Sequence, residues 1–277
     1  MRTLYLSDLD GTLLRSDQRL SPFTVDALNG LMEKGMLFSY ATARSYVTAS
    51  RVTAGITPPI PLIIYNGAWM IENGTGHVLQ YHGFTAEETR EIFDTMTARG
   101  VWPIVYAMVD GVERFSCCPE RSTRGMREFN ATRRGDPRER MTDEAHLLDG
   151  DAFYFTCIDT PENLLPLYER YRDVYQCVYS RDIYSGEQWL EIMPRQATKA
   201  QAMLELKRML GCDRVVCFGD GLNDLSMFAA ADECYAVANA TEELKRAATA
   251  VIGANDDDGV ARWLLAHAAT QRPSMRL

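Results

Sequence analysis

Two acidic clusters are the residues best suited to chemistry. Asp8 and Asp10 stand in L-Y-L-S-D-L-D-G-T near the start of the chain, and Asp220, Asn223 and Asp224 stand in V-C-F-G-D-G-L-N-D-L towards its end. Each cluster directly follows an apolar run. Carboxylates so placed could bind calcium, stabilise a turn, or work on a bound metal. A calcium loop requires D-x-[DN]-x-[DN]-G with Glu at the twelfth position. Here Gly11 follows Asp10 at once and the twelfth position from Asp8 is Arg19, which excludes that reading. A plain turn remains open for either cluster taken alone. A dinucleotide fingerprint in G-D-G-L-N-D lacks its third glycine and lies late in the chain. Two acidic clusters at two strand ends can share a hard divalent cation. Magnesium binds in this way, through one or two carboxylates plus waters and a substrate phosphate.

Two further residues suit the phosphate. Thr42, in A-T-A-R-S, ends an apolar run and offers a hydroxyl and nearby backbone N–H groups. Lys199 falls in the first turn of the helical pattern A-T-K-A-Q-A-M-L-E-L-K-R-M-L-G, where the helix dipole favours anions. A threonine at a strand end is usually structural and a lysine near a helix start usually solvated; the combination raises both.

These residues need a scaffold, and the hydrophobic pattern predicts one. Short apolar runs at 3–8, 36–42, 61–67, 214–220 and 233–239 end abruptly in small or polar residues. Such runs suit strands buried on both faces of a parallel sheet. Between the first two lies a helix, with Ser21 as N-cap, Pro22 in the first turn, and Val25, Leu28, Leu31 and Met32 at helical spacing. Asp8, Thr42, Asn66 and Asp220 all come just after an apolar run, and ligands of open α/β sheets sit outside the carboxyl ends of the strands. If strand alternation persists through Leu9, Asp8 and Asp10 project to the same side. The middle of the chain reads differently. It carries hairpin turns at Asn73-Gly74 and Asp110-Gly111, a T-x-x-E capping box at Thr85 and Glu88, and further strands and a helix to residue 189. The expected fold class is α/β: a Rossmann-like parallel-sheet core from residues 1–82 plus 190–277, with an α+β domain inserted at 83–189.

Bulk properties narrow the partners. The chain has 277 residues, 46% hydrophobic and 24% charged, an ordinary globular composition. Its net charge of −9 repels phosphate backbones, so no nucleic-acid partner is expected and an anionic substrate must meet local positive charge. The seven cysteines form no C-x-x-C and most sit in apolar runs, which suits reduced, buried thiols. The four histidines show no zinc spacing. No run is long enough for a membrane span and the N-terminus lacks signal-peptide features. A soluble cytoplasmic protein without a membrane partner is the expectation.

D-L-D-G-T, A-T-A-R, the lone lysine of Q-A-T-K-A-Q-A-M-L-E-L and G-D-G-L-N-D, in that order, resemble the four motifs of the haloacid dehalogenase-like superfamily. I-I-Y-N-G-A at 63–68, A-N-A-T-E-E-L-K-R-A-A at 238–248 and N-D-D-D-G-V-A at 255–261 resemble its Cof-type phosphatases, and the insertion resembles their α/β cap. Ala43 stands where the family usually has glycine. A backbone contact to phosphate survives that change if the local conformation suits alanine.

The resemblance implies a magnesium-dependent phosphatase acting on a small phosphorylated metabolite. Asp8 is then the nucleophile and a metal ligand. Asp10 is the general acid and base, with its backbone carbonyl on the metal. Asp220 is the other direct metal ligand, and Asp224 acts through water or by orienting Lys199. Thr42, the Ala43 backbone, Lys199 and Asn223 hold phosphoryl oxygens, while Asn66 and Gly67 are substrate candidates. Alternatives are a phosphomutase of the same superfamily and a silent binding or regulatory homologue. Dehalogenation fits less well, since a leaving halide needs no acid and Asp10 is present. Within the insertion, residues 121–140 hold seven arginines, read either as a second anion site or as a solvated face pairing with Glu128, Asp136 and Glu139. Tyr184 and Trp189 are further candidates to approach the site, Trp189 reading better as core.

Overall fold

The computed structural model describes residues 1–182 and 185–268. Tyr184 therefore lies outside the described residues. The chain divides into two compact units, Met1–Tyr81 together with the described residues from Thr198 onward, and His82–Ala197.

The first unit is built on a five-stranded sheet in the order Ala250–Ile252, Glu233–Val237, Arg214–Gly219, Thr3–Ser7, Leu37–Tyr40, with every neighbouring pair parallel. Thr3–Ser7 is buried throughout, as its unbroken apolar run requires. It pairs on both sides, with Ser7 opposite Phe218 on one flank and Tyr40 on the other. That register sets the chemistry, because the residues just past three neighbouring strands then emerge at one edge. The helices Pro22–Glu33 and Lys199–Leu210 begin as the sequence predicts: Ser21 Oγ accepts from Thr24 N–H and Thr198 Oγ1 from Gln201 N–H. Gly211, in the left-handed region at φ 60°, ends the second.

Two details depart from the sequence reading. The strand Leu62–Ile64 meets the parallel sheet only through a single bridge, Ala41 to Ile63. It belongs instead to an antiparallel three-stranded sheet with Trp69–Ile71 and Val78–Tyr81. The cause is the tight turn at Tyr65–Gly67, which reverses the chain before a parallel strand could extend. The edge strand Ala250–Ile252 was not anticipated, because three residues carry too little pattern to read.

The second unit is a six-stranded mixed sheet in the order Gln176–Arg181, Gln188–Met193, Asp151–Ile158, Ile104–Val109, Val112–Cys117, Glu139–Met141. Its pairs are antiparallel except the last, which is parallel. Ile92, Met96, Val105, Phe155, Leu164, Leu167 and Leu190, drawn from the sheet and from helices Ala86–Ala98 and Pro161–Tyr171, pack in its core with Phe84 from the segment before the first helix. Asp110 and Gly111, both with positive φ, make the expected hairpin turn. The second crossing lies later than residue 190. Gln188–Met193 pairs with two strands of this sheet, so the unit runs on to Ala197.

Candidate active site

The strand Thr3–Ser7 ends one residue before Asp8, whose N–H donates to the Phe218 carbonyl at 2.9 Å. This bond ties the first acidic cluster to the strand that carries the second. The Lys199 ammonium donates to Asp8 Oδ1 at 2.6 Å and to Asp224 Oδ1 at 2.7 Å, with all three side chains almost fully buried. The other Asp224 oxygen accepts the backbone N–H groups of Asp220 and Gly221, each at 3.1 Å. Asp224 is thus held entirely by protein donors, an arrangement that aims Lys199 at Asp8.

One ammonium faces three carboxylates here. Oxygens of Asp8, Asp220 and Asp224 lie within 4.8 Å of one another. The electrostatics show the strain. Burial pushes the Asp8 carboxyl well above its ordinary range, Lys199 offsets part of that, and Asp224, Asp220 and Asp10 add to it. Burial, then Asp224, raises Asp220 to about 7. Burial alone would lower the Lys199 ammonium, but Asp224 and Asp8 more than reverse this and hold it above its usual value. A hard divalent cation would relieve the shortage of positive charge, and an all-oxygen donor set fits one.

Asp10 goes elsewhere. The strand has ended at Ser7 and the chain turns through Leu9–Leu13, with Leu14 N–H returning to Leu9 O at 2.8 Å and Gly11 at φ 76°. Strand alternation therefore does not carry Asp8 and Asp10 to a common side. Asp10 receives a bidentate pair from Arg44, Nε to Oδ2 at 2.7 Å and Nη2 to Oδ1 at 2.6 Å. Arg44 Nη2 also donates to Oε1 of Gln18, a residue itself at φ 61°, at 2.9 Å. Sequence reasoning assigned no role to Arg44 or Gln18. Arg44 was visible in A-T-A-R, whereas nothing marked Gln18.

Thr42 is fully buried. Its N–H donates to Ile63 O at 3.0 Å and its hydroxyl accepts Arg44 N–H at 3.1 Å, with Ala43 between them in the turn. Its carbonyl accepts Asn66 N–H at 2.9 Å. Asn223 Nδ2 in turn lies 3.4 Å from Asn66 Oδ1. Gly67 has a packing role. At φ 97° it presses on the start of the Lys199 helix, where a Cβ would fall 2.3 Å from Thr198 O. Thr12 Oγ1 donates to Asp220 Oδ1 at 2.8 Å, another contact that sequence reasoning missed.

In the second unit, the arginine-rich stretch is largely paired. Arg124 meets Glu128, Arg138 meets Asp136 and Glu113, Arg121 meets Glu144 and Arg140 meets Asp149. Trp189 packs its ring on Phe129, 5.3 Å between centroids. The seven cysteines are free thiols, six of them buried. No helix among the described residues is long and apolar enough to cross a membrane.

Comparison with known proteins places this geometry. The sequence profile of haloacid dehalogenase-like hydrolases matches residues 5–264. The HMP-PP phosphatase of Serratia proteamaculans is 28% identical over 282 residues, 95% of this chain and 94% of that protein. A 5-amino-6-(5-phospho-D-ribitylamino)uracil phosphatase of Bacillus subtilis is 26% identical over 265 residues, 93% and 94% of the two chains. Among solved structures, a haloacid dehalogenase-like hydrolase from B. subtilis superposes with a TM-score of 0.76 at 22% identity, covering 97% of this chain and 100% of the other. A subclass IIB sugar phosphatase superposes at 0.75 and 21% identity, covering 95% and 98%. The parallel core with its inserted mixed sheet is the fold of these solved structures, and the chain belongs to the haloacid dehalogenase-like hydrolase family.

Proposed function

We propose that this phosphatase hydrolyses small phosphorylated metabolites with magnesium, through an aspartyl-phosphate on Asp8. The observation that carries the reading is the buried Asp8 carboxylate, held by Lys199 at 2.6 Å beside the Asp220 and Asp224 oxygens. Asp8, Asp220 and the Asp10 carbonyl would hold the ion, with Asp224 acting through Lys199 or through water. When bound, magnesium supplies charge neutralisation for the phosphoryl group and for the nucleophile.

The protein groups do the rest. Asp8 attacks phosphorus and the ester oxygen leaves with a proton from Asp10. Water then attacks the aspartyl-phosphate and gives its proton back to Asp10, releasing inorganic phosphate and restoring Asp8. To give that first proton, Asp10 must turn one oxygen away from Arg44. Lys199, the Thr42 hydroxyl, the Ala43 backbone and Asn223 hold the phosphoryl oxygens. Asn66, beside Asn223, is placed at the substrate's edge, and Gly67 supports Lys199.

The relatives' names, an HMP-PP phosphatase and a ribitylaminouracil phosphate phosphatase, direct the substrate search towards heterocycle-bearing phosphates alongside sugar phosphates. The seven free thiols support a cytoplasmic site of action. The deciding experiment measures inorganic phosphate released from a panel of phosphorylated metabolites, with magnesium and with EDTA. Magnesium-dependent release is expected. Phosphoryl transfer within a sugar, without release, would support the phosphomutase reading, and silence across the panel the binding homologue.

A further inference from the structure

Two stretches of this chain have no part in the chemistry above: the loop 238–241 and the segment Asn255–Asp257 with Asp258. Both reach the turn that carries Asp10. Asn239 Nδ2 donates to Gly11 O at 2.7 Å, while Asn239 Oδ1 accepts Asn255 N–H at 3.0 Å. Asn255, itself buried, donates from Nδ2 to Leu14 O at 3.0 Å. The same loop also grips the other acidic cluster, since Thr241 N–H donates to Asp220 O at 2.9 Å. Gly11 also lies against the Asp220 carboxylate, so closely that a Cβ would fall 2.4 Å from Oδ2.

Gly11, one residue past Asp10, is therefore in contact with both Asp220 and Asn239. A carboxamide is the side chain that satisfies both neighbours of Asn239, because it faces a carbonyl with its NH2 and an N–H with its oxygen. Flipping it would set N–H against N–H and oxygen against oxygen, so the bonding also fixes its orientation. Asn239 is exposed and packs no core, yet it makes two backbone bonds to residues distant in sequence.

We infer that Asn239 is a positioning residue for proton transfer, bracing the turn so that the Asp10 carboxyl reaches the leaving oxygen. Asn255 extends the brace to Leu14. This rests on the general-acid role of Asp10 proposed above. A small displacement of a proton donor is expected to slow the step that needs it while leaving binding intact.

The test uses Asn239→Leu, Asn239→Asp and Asp10→Asn in the full chain, each assayed on phenyl phosphate and on 2,4-dinitrophenyl phosphate. The dinitrophenolate leaves without acid assistance, whereas phenolate needs the proton. For Asn239→Leu, kcat/KM, which reports only the steps up to departure of the ester oxygen, should fall by about tenfold or more on phenyl phosphate, with a much smaller fall on the dinitrophenyl ester. Asn239→Asp should follow the same pattern, since its carboxylate cannot donate to Gly11. The melting temperature of either variant should stay within a few degrees of the parent, as an exposed loop residue predicts. A parental rate on both esters, or equal losses on both, would overturn the brace while a steep Asp10→Asn response kept the general acid in place. Equal losses in kcat/KM for Asp10→Asn on the two esters would remove the general-acid assignment, and the brace with it.

Discussion

Arg44 holds both carboxylate oxygens of Asp10, at 2.7 and 2.6 Å, while Asp8, two residues earlier, is held by Lys199. The two aspartates of D-L-D are thus anchored to cations from different parts of the core, which suits two different tasks. If Arg44 acts on the reaction through Asp10, its effect disappears when Asp10 is disabled. Arg44→Ala is expected to lower kcat by about tenfold to a hundredfold. Adding it to Asp10→Asn should change the rate by no more than about twofold, since contacting groups acting as a unit are non-additive. Full multiplication of the two losses in steady-state kinetics would show that Arg44 acts by itself.

Asp8 is kept in a place that charge dislikes. Burial raises its carboxyl, and three neighbouring carboxylates oppose its ionisation, against one ammonium. Asp8→Asn should therefore remove activity by on the order of 10³ or more while leaving the metal-free fold at least as stable as the parent, because strained sites trade stability for function. Thermal melting in EDTA, beside a p-nitrophenyl phosphate assay with magnesium, checks both halves. A lowered melting temperature would mean that the Asp8–Lys199 pair stabilises the fold rather than straining it.

Much of this was legible in the residues, and the remainder for definite reasons was not. The runs before Asp8 and Asp220 read as buried strands because two-sided burial removes polar alternation, and strand ends then point to a ligand edge. The grip of Arg44 on Asp10 depends on how the chain turns after Thr42 and on Gln18 at positive φ, which no local pattern announces. Asn66 and Gly67 stood out as small polar residues after a strand. Asn66 bonds back to Thr42, and the role of Gly67 depends on the helix that begins at Lys199, over 130 residues later. Gln188–Met193 reads as a strand in either unit, so its sheet was decided by partners and not by its own sequence.

Gly67 offers a test of that remote contact. Its φ of 97° disfavours any side chain, and a Cβ would fall 2.3 Å from Thr198 O and 2.9 Å from Lys199 N. Gly67→Ala must strain the turn or push the helix start away from it, at roughly 1–3 kcal/mol. Because Lys199 is the first residue of that helix, kcat should fall together with stability. Urea unfolding and phosphatase kinetics on the same preparation measure both. A full-rate enzyme of lowered stability would show that the turn absorbs the strain without moving Lys199.

Asp258 gives the fold a defined pH dependence away from the Asp8, Asp220 and Asp224 cluster. It accepts from Arg15 Nη2 at 2.7 Å, Ser21 Oγ at 2.6 Å and Thr24 Oγ1 at 3.1 Å, joining the C-terminal segment to the first helix and the loop before it. Burial alone would raise its carboxyl, but the bonds from Arg15, Ser21 and Thr24 outweigh that and hold it below its ordinary value. A depressed folded-state value means the folded chain binds fewer protons than the unfolded chain. The stability it contributes is thus present above the unfolded-state value, about 4, and lost as pH falls through the lower folded-state value. Asp258→Asn should lower unfolding stability at pH 7 by about 2 kcal/mol, the scale of a charge-assisted hydrogen bond. The gap between variant and parent should begin to narrow as pH drops below about 4, where the unfolded chain takes up the proton, and close as pH falls through the lower folded-state value. A gap that stays constant from pH 7 to pH 3 in urea titrations would show that Asp258 works through shape and neutral hydrogen bonds, and that its charge contributes nothing to holding the segment in place.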